Sequence, residues 1–339
     1  MTGIAAIDAG FSETRVGFLG DGDGGVVMHS LKAGDDPFLW LHSACPGDIR
    51  CVVIAGGSYA PCPPGVYVVD EHMAGDAAGI DGWHPRNRMT VRAFEYCSKV
   101  GIPCLALDPM LTDTVLPEAR LSGYPGYERR GVYYAVPQRQ AFYKAVSSLG
   151  LDAAGAPIIT VYLGDETCVT AHRGDRVLDS SDPLACEGPF GLTSAGTIPA
   201  TAFLAWLGRE GKAGQDLLSL LKVRSGAFSY AGVETLQELA RLTREGHAGA
   251  LLAVSGLAHQ VSKEIGRALA TLKGEAECVS ITGPGASLLS LTSAIEERVG
   301  KWCPVICFRE DLAIPALLRE GSRALAGGGA RKYPREKRS

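Results

Sequence analysis

Residues 4–24, IAAIDAGFSETRVGFLGDGDG, pass from an apolar run through a break at Asp8-Ala9-Gly10 into an alternating run that ends in glycines. The pattern predicts a β-hairpin: strand Ile4 to Asp8, turn Ala9 to Ser12, strand Thr14 to Leu19, then a Gly/Asp turn. Residues 157–181, PIITVYLGDETCVTAHRGDRVLDSS, repeat the design. Their first strand stops at Gly164-Asp165-Glu166, an alternating strand runs from Thr167 to His172, and Gly174-Asp175 closes the unit. Two such hairpins, about 155 residues apart, predict two similar halves, each opening with its own antiparallel unit. Two unrelated hairpins in a mixed protein are the alternative.

Between them, CVVIAGG (51–57) and PCLALD (103–108) read as buried strands, and VRAFEYCSKVG (91–101) has helical spacing and ends in glycine. This strand, helix, strand rhythm predicts an α/β sheet with crossover helices. Further on, ETLQELARLTREGH (234–247) and LAHQVSKEIGRALATLKG (257–274) read as helices. The second sets Leu257, Val261, Ile265, Leu269 and Leu272 on one face and closes at Gly274. ECVSITGPGAS is a strand entering a glycine turn, and after PVICF a last helix spans Leu312 to Leu325. The remainder, 326–339, is glycine-rich and basic and reads as a flexible, solvated tail.

A chain of 339 residues has room for two domains with a cleft between them. The expected division is 1–152, 153–325 with the last helix packing back on the first domain, and the tail. With 46% apolar residues, 21% charged residues and a formal charge of −4, nothing calls for nucleic acid or an anionic membrane surface. No apolar run approaches the roughly 18 to 20 residues that cross a bilayer, and the start lacks a secretory pattern. A cytoplasmic location is the expectation. None of the ten cysteines is paired as C-x-x-C, and most, such as Cys51, Cys104 and Cys307, lie in strand-like segments. They are expected to be buried thiols rather than metal ligands or disulfides.

Three glycine-containing turns, at 8–14, 164–167 and 283–286, each follow a predicted strand. Such turns leave backbone N–H groups available and let a phosphate approach without a Cβ in the way. Three of them across two similar halves suggest a nucleotide clamped between two domains.

Several stretches carry a family resemblance: GGSYAPCPPGVYVVDEHM (56–73), ARLSGYPGYERR (119–130), GDRVLDSSDPLACEGPFGLTSAGTIP (174–199) and AHQVSKEIG (258–266) with ITGPGA (281–286). On these the chain resembles a divergent, butyrate kinase-like member of the acetate and sugar kinase, Hsp70 and actin superfamily. The resemblance implies two actin-like (ribonuclease H-like) α/β domains with an interdomain nucleotide cleft, ATP and Mg²⁺ as cofactors, a small-molecule substrate and a homodimer. Asp8 then falls where the superfamily orients the metal, with Gly10, Thr14 and Arg15 in the phosphate-binding hairpin. The second phosphate loop maps to Gly164-Asp165-Glu166 and the adenosine loop to Gly283, Gly285 and Ala286. Asp108 matches an acidic residue near the transferring phosphoryl group, Gly56, Gly57, His84 and Asn87 fall at the substrate side, and Glu310 matches a metal-side glutamate. His84 taken alone reads rather as a structural or solvent-facing histidine.

The departures are as informative. Relatives carry arginine where this chain has Ala55 and Ser194, and His-Leu-Gly-Gly-Gly where it has Tyr162 to Glu166. An arginine fork is the natural partner of a carboxylate and of charge on a transferring phosphoryl group, where it can contribute about 10³ or more to rate. Asp165 and Glu166 also place negative charge where an anion must bind, which requires a compensating cation. Two readings stay open. In one, the chain is a kinase whose acceptor is not a simple carboxylate, with Asp108 as general base toward a hydroxyl and Arg86, Arg88 or Arg129 as replacement charge. In the other, it is a catalytically degenerate homologue that binds nucleotide or metabolite as a sensor or assembly partner.

Overall fold

The computed structural model describes residues 3–20, 25–44, 48–112, 114–211 and 214–334. The Gly/Asp turn expected after Leu19, Cys45 and the last five residues of the tail lie outside the described residues. By contacts the chain forms two units, 1–113 with 311–339, and 114–310.

The first unit runs through β1 (Ile4–Ala9), β2 (Glu13–Leu19), β3 (Val26–Lys32), α1 (Pro37–Ala44), β4 (Cys51–Ala55), β5 (Val66–Val68), α2 (Glu71–Gly79), α3 (Pro85–Val100), β6 (Cys104–Leu107) and β7 (Leu111–Thr112). The second holds β8 (Gly131–Val132), α4 (Ala135–Leu149), β9 (Pro157–Leu163), β10 (Thr167–Arg173), β11 (Arg176–Ser180), α5 (Ala200–Glu210), α6 (Gly214–Lys222), α7 (Gly226–Ala231), α8 (Leu236–Arg244), α9 (Ala248–Thr271), β12 (Cys278–Thr282), α10 (Leu289–Val299) and β13 (Val305–Cys307). The chain then returns to the first unit with α11 (Ala313–Leu325) and β14 (Arg331–Lys332).

The two sheets share one plan. The first is ordered β14-β5-β6-β4-β1-β2-β3 and the second β11-β10-β9-β12-β13. In each, an antiparallel meander (β3-β2-β1; β11-β10-β9) joins parallel strands on its far side (β4 and β6; β12 and β13). The internal repeat expected from the hairpins is therefore present as strand order, and the fold is mixed α/β as the sequence predicts.

The contact division falls at 113/114 and not at 152, because α4 packs on β9 and β12 of the second sheet. Helix α9 is longer than its predicted stretch, starting at Ala248, and buries Leu257, Val261 and Ile265 in the second core. Helix α11 packs on β1, β2 and β4. The approach is close: a Cβ on Gly17 of β2 would lie 2.3 Å from Ile314 Cγ2, so only glycine fits beneath the helix.

The expectation of a solvated tail is corrected for its described part. Strand β14 pairs with β5, and Tyr333 is buried against Tyr59 and His72 with its hydroxyl donating to Asp76 at 2.8 Å. One aromatic ring supplied enough apolar surface to dock a segment that its glycines and charges alone would leave in water. The nine described cysteines are free thiols, seven of them buried. Burial pushes the Cys51 and Cys278 thiols up to about 12 and that of Cys168 to about 11, which makes them small apolar side chains rather than nucleophiles. No helix among the described residues is long and apolar enough to cross a membrane.

Candidate functional site

In the first unit the candidate residues collect at the carboxyl ends of the parallel strands. Asp8 is the last but one residue of β1 and sits directly across the hairpin from Arg15. Its carboxylate is 3% exposed and held by two guanidiniums. Arg86, from the first turn of α3, donates to Oδ1 through Nε (2.9 Å) and Nη2 (2.7 Å), and Arg15 Nη2 donates to Oδ2 at 2.7 Å. Burial pushes the Asp8 carboxyl up, but Arg86 and then Arg15 outweigh it and hold it below the usual carboxylate range. Arg15 is fixed a second time by Asp311 (Nη1 to Oδ2, 3.2 Å), whose other oxygen caps α11 through the Ala313 and Ile314 amides. Gly10 closes the hairpin by donating its amide to the Glu13 carbonyl, and Thr14 is buried beside Arg15.

Asp108 follows β6. Registers Ile7 to Ile54 and Ala55 to Leu107 put Asp8 and Asp108 at the same sheet edge with β4 between them, about 10 Å apart by two strand spacings. Asp108 is 1% exposed and adopts φ +46°, a left-handed conformation uncommon outside glycine. Strain of this kind persists where the surroundings enforce it, and it clusters at active sites. Here the Asp108 amide donates to Gly65 O, while Gly56 donates to Leu107 O and Met110 to Gly57 O, pinning the backbone on both sides.

Two residues expected at the substrate side make structural contacts. Asn87 is fully buried, and its amide joins Ser58 N, Ser58 O, Ala77 O and Ile80 O. It staples backbone together and has no face left for a ligand. His84 is the N-cap of α3, its Nδ1 accepting the Arg86 amide, and it is packed edge-on against Phe11 and Trp83. His84 thereby caps the helix turn that carries Arg86, the residue bonded to Asp8.

In the second unit β9 and β12 pair in parallel with Thr282 opposite Tyr162. That register sets the two predicted nucleotide loops, 164–166 and 283–286, side by side at one sheet edge. Gly283 has φ +95°, and a Cβ there would lie 2.5 Å from Leu163 O. A Cβ on Gly285 would lie 2.9 Å from Leu163 Cβ, and Ala286 is fully buried. Tyr162, where relatives carry histidine, stacks on Tyr134 (4.1 Å between centroids, 13° between planes) and lies over Gly164, where a Cβ would come within 2.6 Å of its ring. The outer side of the hairpin is braced by the 191–194 loop: Leu192 N donates to Gly164 O, and Thr193 N and Ser194 N donate to Asp165 O.

The acidic loop finds its compensation in a residue that sequence reasoning missed. Glu166 turns inward, where Lys222 Nζ donates to Oε1 at 2.8 Å and Tyr134 Oη donates to Oε2 at 2.8 Å. The ammonium also donates to Pro183 O. Burial lowers the Lys222 ammonium, yet Glu166, with Cys186 and Asp182, together more than reverse this and its net shift is upward. Lys222 lies 56 residues from Glu166, at the end of a short helix, so no local spacing could have paired them. The usable signal is chemical: a buried carboxylate requires a cation.

The proposed replacement arginines do not take up that work. Arg86 is committed to Asp8, Arg88 is exposed on α3, and Arg129 is bound to Glu187 at 2.9 Å and Asp179 at 3.2 Å. Nor do the two expected metal-side carboxylates fit direct ligation of Mg²⁺. Both Asp8 oxygens hold guanidiniums, and Glu310 pairs with Lys144, which is the main reason its carboxyl is held below the ordinary range. Among the described residues no group of three or more His, Cys, Asp and Glu side chains could hold a metal.

A twice-used sheet plan, with glycine loops gathered at one edge, defines a two-unit α/β fold of the actin-like kinase class. Residues 136–300 match the Acetokinase family. The chain is 28% identical over 291 residues to a probable butyrate kinase of Enterococcus faecalis, covering 86% of this chain and 80% of that protein. Among solved structures it is similar to a propionate kinase from Francisella tularensis (TM-score 0.77, 13% identity, 95% and 100% of the two chains). It is also similar to the acetate kinase of Porphyromonas gingivalis (TM-score 0.71, 16% identity, 96% and 100%). The chain is thus similar in sequence to the Acetokinase family and to a butyrate kinase, and shares its fold with acetate and propionate kinases.

Proposed function

We propose that this protein is an ATP-dependent phosphotransferase acting on a small molecule, with MgATP as donor and the metal entering as part of that substrate. The observation that carries the reading is the adjacency of loops 164–166 and 283–286 at the ends of β9 and β12, together with the Lys222 ammonium that neutralises Glu166 behind the first. With that charge cancelled inside, the loop can face a polyphosphate without a net anion of its own beyond Asp165.

The acceptor we propose is a hydroxyl compound rather than a short-chain carboxylate. Ala55 and Ser194 stand where relatives keep arginine, and neither Arg86 nor Arg129 is placed to substitute. Asp108 is the proposed general base. It takes the proton of the attacking hydroxyl as the γ-phosphoryl bond to ADP breaks and the new P–O bond forms. A homodimer in the cytoplasm completes the reading.

The second reading, a nucleotide-binding homologue without turnover, is favoured by one feature: the Tyr162 ring covers Gly164 where relatives have a polar histidine. Thermal unfolding with and without MgATP tests both readings, because a ligand that binds only the folded state raises the midpoint by mass action. A rise is expected, and no rise at millimolar nucleotide defeats both. ADP release across a panel of alcohols and carboxylates then separates them. Turnover with an alcohol supports the kinase, and none with any acceptor supports the binding protein.

A further inference from the structure

We propose that Asp8 is a positioning residue that fixes Arg15 as the guanidinium contacting the transferring phosphoryl group, in place of the metal-orienting role expected at this position. The inference rests on the reading that a phosphoryl group binds at the β1–β2 hairpin.

The geometry has three parts. The carboxylate takes a fork from Arg86 on one oxygen and a single N–H from Arg15 on the other. A divalent cation brought onto either oxygen would therefore lie within a few ångströms of two fixed positive charges, whereas a phosphoryl oxygen approaching Arg15 meets attraction. The three groups also differ in access: Arg86 is 1% exposed, Asp8 3% and Arg15 18%, so Arg15 is the member that a ligand reaches. Finally, Arg15 is held at two points, by Asp8 across the hairpin and by Asp311 at the start of α11. A guanidinium anchored in this way loses little further rotamer freedom when it meets phosphate, which is the advantage of an arginine over a lysine there. The chain lacks both arginines that the resemblance leads one to expect, and Arg15 sits on the hairpin that the resemblance implies as the phosphate-binding one.

The test is a double-mutant cycle on nucleotide affinity, measured by calorimetry with ATP in Mg²⁺ and in EDTA for wild type, Arg15→Met, Asp8→Asn and the double variant. Each single variant is expected to weaken binding about tenfold or more in both media. The double variant should be no weaker than Arg15→Met, and Asp8→Asn should leave the ratio of affinities in Mg²⁺ and EDTA unchanged. If Asp8→Asn removes only the Mg²⁺-dependent part of the affinity, or if the two losses add, the proposal is overturned and Asp8 is a metal-side group. Where Asp8→Asn does not fold, because it strands the Arg86 charge, Asp8→Asn with Arg86→Met replaces it in the same cycle. Failure of the wild type to bind ATP in either medium overturns the phosphate-site reading itself, an outcome distinct from an additive cycle on a wild type that binds.

Discussion

Lys222 Nζ and Glu166 Oε1 meet at 2.8 Å with neither side chain more than 2% exposed. The Glu166 carboxylate is thus turned into the core and matched there. Removing one partner of a buried pair leaves an uncompensated charge, at a cost of about 3–5 kcal/mol, while removing both is far milder. Lys222→Met is therefore expected to lower unfolding stability by about that amount in urea titrations, and Glu166→Gln added to it should recover most of the loss. Equal losses in the single and double variants would show that the pair does not couple.

Asp108 offers a separation of chemistry from binding. Asparagine tolerates the left-handed region at least as well as aspartate does, so Asp108→Asn keeps the backbone at φ +46° and removes only the charge. On the kinase reading, turnover should fall by at least 10² while the thermal shift with MgATP stays within a degree of wild type. Activity that survives this change removes Asp108 from the mechanism.

His172 makes stability depend on pH. It is buried against Tyr133 and Phe142 and bonded to Thr160. Burial, reinforced by Arg139 and opposed by Asp175, pushes it down to about 3. The unfolded chain, with histidine near 6.5, binds the proton more readily than the folded one. The contribution of His172 is therefore full above about pH 6.5 and is lost as pH falls from there toward 3, at up to ~1.4 kcal/mol per pH unit. Stability of His172→Gln, measured between pH 7 and 4, should decline less steeply than wild type; parallel curves would refute the assignment.

The docking of the tail can be measured at one atom. Tyr333 Oη accepts the Ala60 amide at 2.7 Å and donates to Asp76 at 2.8 Å. Tyr333→Phe leaves both groups short of a partner and is expected to cost about 1–3 kcal/mol, read as a lower urea midpoint with unchanged slope. A variant as stable as wild type would mean that the contact is dispensable.

What the sequence disclosed was local. Both hairpins were legible because a strand, its turn and its partner are contiguous, and β1–β2 and β9–β10 begin and end within two residues of the expected bounds. The face of α9 was legible for the same reason, with Leu257, Val261 and Ile265 fully or nearly fully buried, Leu269 partly so and Leu272 buried just past the helix end. Helix α5 announced itself poorly because none of its residues is buried, so no apolar stripe marks it. The site was legible as a set of loops and not as a set of pairings. Asp8 with Arg86, Arg15 with Asp311 and Glu166 with Lys222 join residues far apart in the chain. Their roles follow from which charge each one meets, and that is decided only by the folded chain.

The discontinuous make-up of the first unit has a consequence for synthesis on the ribosome. Gly17 accepts Ile314, and the inner face of α11, Ile314, Leu317 and Leu318, completes the core over β1 and β4. Residues 1–113 must therefore wait, their sheet uncovered, until α11 has been translated, whereas residues 114–310 are complete before it. The unit of residues 114–310 is thus the first to mature, and the other unit depends on residues translated after it for closure.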